Sequence, residues 1–180
     1  MKKALILVDM QNDFVHKEGS LTLPHDTSKL IEDMTQFVKD FDGMLFFTKD
    51  THNTDACEFK LFPKHCVEDT WGHNIVESLI YAVKDRSHSV INKKSFSDDK
   101  VSYLGDTFME LGIEEIHVVG VCTHICVHDV VSGLVNYTKS KYNNTPKFII
   151  HRNLVDDFDQ DMSEFALKRL QNLYGVDIKN

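Results

Sequence analysis

Short apolar runs alternate with stretches of helical periodicity along the whole chain, and this alternation limits the fold more than any other feature. Ala4 to Val8 is a continuous apolar run, as expected of a parallel strand covered on both faces. Leu30, Ile31, Met34, Phe37, Val38 and Phe41 then recur at helical spacing, with Asp26 or Thr27 as N-cap and Gly43 ending the helix. Met44 to Thr48 reads as a second strand, Asn74 to Val83 as a helix and Ser87 to Ile91 as a third strand. Leu104, Phe108 and Leu111 mark a helix that stops at Gly112. Ile116 to Val121 is the fourth strand, followed by a helix lined by Val127, Val130, Val131, Leu134 and Val135. Phe148 to Ile150 is the fifth strand. A last helix is marked by Met162, Phe165, Ala166, Leu170 and Leu173, with a short sixth strand near Val176 to Ile178. Such βα alternation predicts an α/β fold: a three-layer, Rossmann-like open parallel sheet of about six strands with helices on both faces.

The length, 180 residues, suits one domain over 1–180. The net charge of -8, with no basic run, argues against nucleic acid or an anionic membrane as partner. The apolar stretch before Asp9 is too short for a signal peptide, and no stretch could span a bilayer. A cytoplasmic location is therefore expected, with the sequons at Asn136 and Asn143 unused. Cysteines 57, 66, 122 and 126 contain no Cys-x-x-Cys pair and are expected to be reduced.

Four groups of residues carry chemistry, each at the expected carboxyl end of a strand, where open α/β sheets place ligands. Asp9 ends the first strand, as a base or as a turn aspartate. Asp50 and His52 stand two apart on an extended chain and so face the same way. His65 returns from the long unpatterned segment 51 to 72, with Glu58 as a fourth donor. Two imidazoles and a carboxylate suit Zn, Fe or Mn. The alternatives are a solvated polar loop, or a closed zinc site in which Cys57 and Cys66 join the histidines. Lys93 and Lys94 end the third strand, and only one of them can face inward. Cys126 lies in Gly120-Val121-Cys122-Thr123-His124-Ile125-Cys126-Val127, where a strand gives way to a helix. The free N–H groups of a helix start favour thiolate over thiol, although a free cysteine is also a common small buried hydrophobe.

Together these residues resemble the nicotinamidases of the isochorismatase-like hydrolase superfamily. The resemblance runs from Ala4 to about Asp156. It rests on Asp9 with Asp13-Phe14, on Asp50-Thr51-His52, on Glu58-Phe59-Lys60-Leu61-Phe62-Pro63-Lys64-His65, on Lys93-Lys94-Ser95-Phe96-Ser97 and on the segment Gly120 to Val127. It implies a catalytic triad of Asp9, Lys93 and Cys126, and one divalent metal held by Asp50, His52 and His65, with Glu58 where some relatives place a further ligand. Zn2+ is the expected ion, with Fe2+ and Mn2+ as alternatives. It also implies a cis peptide before Cys122 and an oxyanion hole built from the N–H groups of Cys122 and Cys126. The chain departs from the family pattern at Ser97-Asp98-Asp99, at Asp69-Thr70-Trp71-Gly72 and at His124-Ile125, where Asp-Tyr or Asp-Ile is common.

The implied reaction is hydrolysis of nicotinamide to nicotinic acid and ammonia, in NAD salvage. Asp9 takes the thiol proton, Cys126 attacks the amide carbon and the thioester is hydrolysed by a water activated by Asp9 or by the metal. Lys93 is expected to hold Asp9 and Cys126 in their ionised forms. Phe14, Phe62 and Trp71 are the candidate ring contacts. A small pyridine carboxamide and further copies of the chain are the expected partners. The rival readings are a metal-free amidase or hydrolase of the same fold, a thiol redox protein using Cys122 and Cys126, and a binding scaffold with a dead site.

Overall fold

The structure, a computed structural model, describes residues 1–180. Six strands form one parallel sheet: β1 (Lys3–Val8), β2 (Met44–Asp50), β3 (His88–Lys93), β4 (Glu115–Val121), β5 (Lys147–Asp156) and β6 (Asp177–Lys179). Their order across the sheet is β3-β2-β1-β4-β5-β6. The chain winds outward in one direction from β1 and then in the other from β4. The crevice at the carboxyl ends of these two strands is the topological switch point where such sheets bind ligands.

Side-chain alternation along β1 divides the core in two. Leu5 and Leu7 point to one face and pack with Leu30, Met34 and Val38 of α2 (Ser28–Asp40) and Leu79 of α3 (Glu77–Ala82). Ala4, Ile6 and Val8 point to the other. There they meet Leu104 and Phe108 of α4 (Asp99–Glu110), Val130 and Leu134 of α5 (His128–Lys141) and Leu167 of α6 (Gln160–Arg169). A short α1 (Asn12–Val15) follows β1 directly. No helix is long and apolar enough to cross a membrane. At the switch point Gly120 takes φ 124°, and a Cβ there would lie 2.1 Å from the Val8 carbonyl oxygen. Only glycine lets β4 approach β1 this closely.

The expected six-stranded parallel sheet is present, and the differences from expectation are local. β5 continues well past Ile150 through a register break, with Val118 pairing Ile150 but Gly120 pairing Val155. The break hides its last residues from a reading by apolar runs. α3 starts three residues later than expected, because Asn74 to Val76 bond back to the α1 region through Asn12 N–H to Asn74 O and Val76 N–H to Met10 O. Thr27 stands at the α2 N-cap but does not cap it; its hydroxyl donates to the Val15 carbonyl instead. On α6 the inward residues are Ser163, Ala166 and Leu167, and Met162 and Phe165 face outward; on the π-helical turn that follows, Leu170–Tyr174, Leu170 is buried and Leu173 is exposed. The residues that mark the helix by periodicity therefore divide between two faces, with Ala166 and Leu170 buried and Met162, Phe165 and Leu173 exposed.

Candidate active site

Asp9 immediately follows β1 and is fully buried, in the left-handed region at φ 48°. Non-glycine residues seldom adopt this conformation, and it is concentrated at functional sites. Its Oδ1 accepts a hydrogen bond from Thr48 Oγ1 at 2.7 Å and its Oδ2 lies 2.6 Å from Lys93 Nζ. Lys93 is the last residue of β3. Parallel pairing sets it beside Asp50 at the end of β2, and Thr51 N–H donates to the Lys93 carbonyl at 2.9 Å. Strand alternation then decides between the two lysines: Lys93 is fully buried and Lys94 is exposed. Lys93 Nζ also lies 3.6 Å from Cys126 Sγ and 3.5 Å from Asp50 Oδ1.

Cys126 sits in a π-helical turn, Thr123–Val127, between β4 and α5. The peptide bond Val121–Cys122 is cis. The Cys122 carbonyl accepts from the N–H groups of Ile125 (3.2 Å) and Val127 (3.0 Å), passing over that of Cys126. Buried Asp157, just beyond β5, anchors the turn. Its Oδ2 accepts the His124 N–H at 2.6 Å and lies 2.7 Å from His124 Nδ1. Thr123 Oγ1 donates to the Asp156 carbonyl at 3.1 Å. His124 therefore faces Asp157 and braces the loop.

Burial sets the proton affinities. It pushes the Cys126 thiol well above its ordinary value, and the nearby Lys93 charge offsets this only in part. The helix start was expected to favour thiolate and Lys93 to hold it ionised; burial opposes ionisation, and the Lys93 charge offsets it only in part. Burial likewise raises the Asp9 carboxyl against the opposing charge of Lys93. For Lys93 burial works against the charge, but Asp9, Cys126 and Asp50 outweigh it and keep the amine protonated. A thiol and a carboxylate that both have raised proton affinity, set beside one ammonium, are an arrangement suited to a nucleophile and its base.

Asp50, His52, Glu58 and His65 form a second cluster against this one, their ligand atoms all within 4.8 Å of one another. His52 Nε2 lies 2.9 Å from Asp50 Oδ2, and His65 Nε2 lies 3.3 Å from the same oxygen. Glu58, on a 3-10 turn at Cys57–Lys60, approaches the two rings at 3.6 and 3.8 Å. His65 Nδ1 donates to the Pro63 carbonyl at 2.7 Å. In the neutral ring that bond leaves the lone pair on Nε2, the form that ligates a cation; with no cation between them, Nε2 carries a proton toward Asp50 instead. Lone pairs converging on one point are the arrangement a divalent cation requires, and the carbonyl fixes the ring as metal sites commonly do. The donor set therefore fits a divalent metal. Burial opposes ionisation of Asp50, but hydrogen bonds from His52 and His65 and the charge of Lys93 hold its carboxyl below the usual range. Cys57 is exposed and Cys66 is buried in the apolar core. Neither joins the cluster, which removes the closed zinc alternative.

Two polar residues support this cluster. Gln11, fully buried, accepts the Asp50 N–H at 2.7 Å and donates to the Asp50 and His73 carbonyls at 2.9 Å. Asp13 accepts the Cys66 N–H at 2.7 Å and the Ser20 N–H at 2.9 Å, pinning the chain just after His65. A Cβ at Gly72 would lie 2.1 Å from the Asp13 carboxylate, so glycine is required there.

The two clusters open on one narrow pocket. Asp50, Glu58, His65, Cys122 and Cys126 supply its polar side, and Phe14, Leu21, Phe62, Phe96, Ile125 and Phe158 its apolar walls. Phe14 and Phe62 take the expected places. Trp71 does not: it is half exposed on a separate open groove that holds none of the clustered residues, with its ring edge against His16. Asn12 Nδ2 holds the Trp71 carbonyl at 2.9 Å and places that residue beyond the wall. Leu21 and Phe158 were not foreseen. Phe158 follows the end of β5, and the switch-point rule could have found it; Leu21 arrives on the strap between α1 and α2 with no local signal.

Comparison with known proteins agrees with this geometry. The model of the isochorismatase domain matches residues 3–178. The uncharacterized isochorismatase family protein PncA of Bacillus subtilis (strain 168) is 28% identical over 190 residues, taking in 99% of each chain. Nicotinamidase of Saccharomyces cerevisiae is 28% identical over 169 residues, covering 69% of this chain and 77% of that one. The crystal structure of a nicotinamidase/pyrazinamidase from Bacillus subtilis superposes with a TM-score of 0.85 at 27% identity, covering all of both chains. Since the family model spans almost the full length of a sheet built in this order, the chain belongs to the isochorismatase family.

Proposed function

We propose that the protein is a nicotinamidase: it hydrolyses nicotinamide, or a similar pyridine carboxamide, to the acid and ammonia through a thioester on Cys126. One observation carries this reading. The Cys126 thiol, its Asp9–Lys93 pair and the Asp50, His52, Glu58, His65 cluster meet in one pocket walled by Phe14, Phe62, Phe96 and Phe158. Aromatic walls suit a flat ring. The nicotinamidases among the relatives support the same substrate class.

In the proposed reaction Asp9 takes the Cys126 proton and the thiolate adds to the amide carbon. The N–H groups of Cys122 and Cys126 receive the oxyanion, and losing one such donor costs about 3–4 kcal/mol. The proton on Asp9 passes to the amine as the C–N bond breaks and ammonia leaves. Water then adds to the thioester, giving a proton to Asp9, and the acid departs as the sulfur recovers that proton. Lys93 stays protonated throughout and compensates the negative charge shared by Asp9 and the sulfur. A divalent cation, for which Zn2+ is the leading candidate and Fe2+ and Mn2+ the alternatives, would be held by Asp50, His52, His65 and Glu58 and would supply a Lewis-acid contact for a ring nitrogen.

The test is ammonia release from nicotinamide by purified protein, metal-loaded and chelator-treated, beside a panel of other small amides. Release from nicotinamide that falls on chelation and returns with metal is the expected result. No release from nicotinamide alongside cleavage of another amide would overturn the substrate assignment. Full activity in protein shown to be metal-free would overturn the metal's role.

A further inference from the structure

Helix α6 turns Ala166 and Leu167 into the core, yet on its outer side Met162 and Phe165 are 43% and 60% exposed, and Leu173 on the turn that follows it is 65% exposed. Asp161, Phe165 and Arg169 fall four residues apart and lie in one row on that face, with Met162 and Lys168 three residues to either side of Phe165. Glu164 is committed to Arg152 within the chain. Asp161, Lys168 and Arg169 are exposed and make no ion pair. The outer face is thus an apolar stripe centred on Phe165, with a free negative charge at its start and free positive charges at its end.

We propose that this face binds a second copy of the chain, with two α6 helices packed antiparallel about a two-fold axis at Phe165. A two-fold operation places residue 165 + k opposite residue 165 − k. Phe165 then meets its own counterpart, Asp161 meets Arg169 of the partner subunit twice over, and Met162 lies along the stem of the partner subunit's Lys168. A parallel arrangement would set like charges side by side. The charge order of this single helix therefore selects a copy of itself, and the antiparallel helix dipoles agree. One helix pair is small beside a standard interface of about 1,200–2,000 Å², so a reversible, concentration-dependent dimer is expected.

Sedimentation velocity over a wide concentration range decides it, with circular dichroism to verify the fold of each variant. Wild-type protein is expected to shift from monomer to dimer, and Phe165→Glu to remain monomeric at every concentration. Asp161→Arg and Arg169→Asp should each weaken association by about tenfold or more, because each sets like charges opposite one another twice. The double variant Asp161→Arg/Arg169→Asp should restore it. A wild type that stays monomeric, a dimer that survives Phe165→Glu, or a double variant that fails to recover would each overturn the proposal. Ammonia release does not enter this readout, so failure here leaves the reaction assignment standing or falling on its own assay.

Discussion

At the scale of single residues, the buried Asp9–Lys93 pair bears on stability and, under the proposed reaction, on the chemistry. Both side chains are fully buried, 2.6 Å apart. Removing one partner strands a buried charge at a cost of about 3–5 kcal/mol. Lys93→Met should therefore lower the unfolding temperature as well as abolish turnover, whereas Lys94→Ala, at an exposed position, should alter neither. The double variant Asp9→Asn/Lys93→Met should regain most of the lost stability in thermal denaturation and none of the activity. If it regained activity, the proposed base would be wrong. Cys126→Ala should keep its fold and lose all turnover, and Cys122→Ser should keep most of it, since only its backbone N–H is used. Mass spectrometry of protein mixed with substrate should find the acyl adduct on Cys126; an adduct on Cys122 would refute the assignment. Position at the strand ends singled out Asp9, the Lys93–Lys94 pair and Cys126, and the family resemblance implied their roles and that of the Cys122 N–H. The raised proton affinity of Cys126 the sequence could not show, because burial is a property of the fold.

At the scale of elements, a histidine pair couples the sheet to α2. His117 on β4 and His151 on β5 stack at an interplanar angle of 17°, with His117 Nδ1 2.8 Å from His151 Nε2. Phe37 and Phe41 of α2 pack on them. Burial, then the charge of its neighbour His117, depresses His151 to about 4. Burial lowers His117 as well. The unfolded chain takes up these protons near the ordinary histidine value of about 6.5. Between there and about pH 4 the unfolded state binds more protons than the native state, so stability rises with pH across that window. It is fully present above the ordinary value and falls as pH drops through the window. Urea denaturation from pH 7 down to pH 4.5 should show this slope, and His151→Leu should flatten it. An unchanged slope in the variant would assign the pH dependence elsewhere. Neither histidine drew notice in the sequence, because His117 sits inside an apolar run, His151 just past the end of one, and their pairing joins positions 34 residues apart.

At the scale of the whole molecule, the 51–66 segment is tied to the sheet through Asp50 on one side and His52, Glu58 and His65 on the other. A cation bound there stabilises the native state only, by about 2.7 kcal/mol at one hundred times its Kd. For a chain of this size that corresponds to roughly 5–11 °C in unfolding temperature. Addition of Zn2+ to chelated protein should raise the Tm on this order. Asp50→Ala, His52→Ala and His65→Ala should lose the shift, Glu58→Ala should lose part of it, and Cys57→Ser should keep it. Loss of the shift in Cys57→Ser would restore the closed zinc site that the geometry argues against.

The sequence by itself determined the layers, the parallel strands and which chemical groups stand at the strand ends. Each of these follows from local patterns: continuous apolar runs for strands such as Ala4 to Val8, 3.6-residue spacing for helices such as α2, and polar residues where a run stops. Only the tertiary structure decided which of these groups meet. Strand order brings Lys93 of β3 beside Asp50 of β2 and within reach of Asp9 and Cys126. Register continues β5 past its break to carry Asp157 and Phe158 to the pocket, and the strap delivers Leu21. Trp71 was misplaced, and the exposure of Met162 and Phe165 on α6 was not foreseen, for the same reason. Apolar character is a property of the residue, but whether it is covered depends on what packs against it, and that is set by contacts distant in the chain.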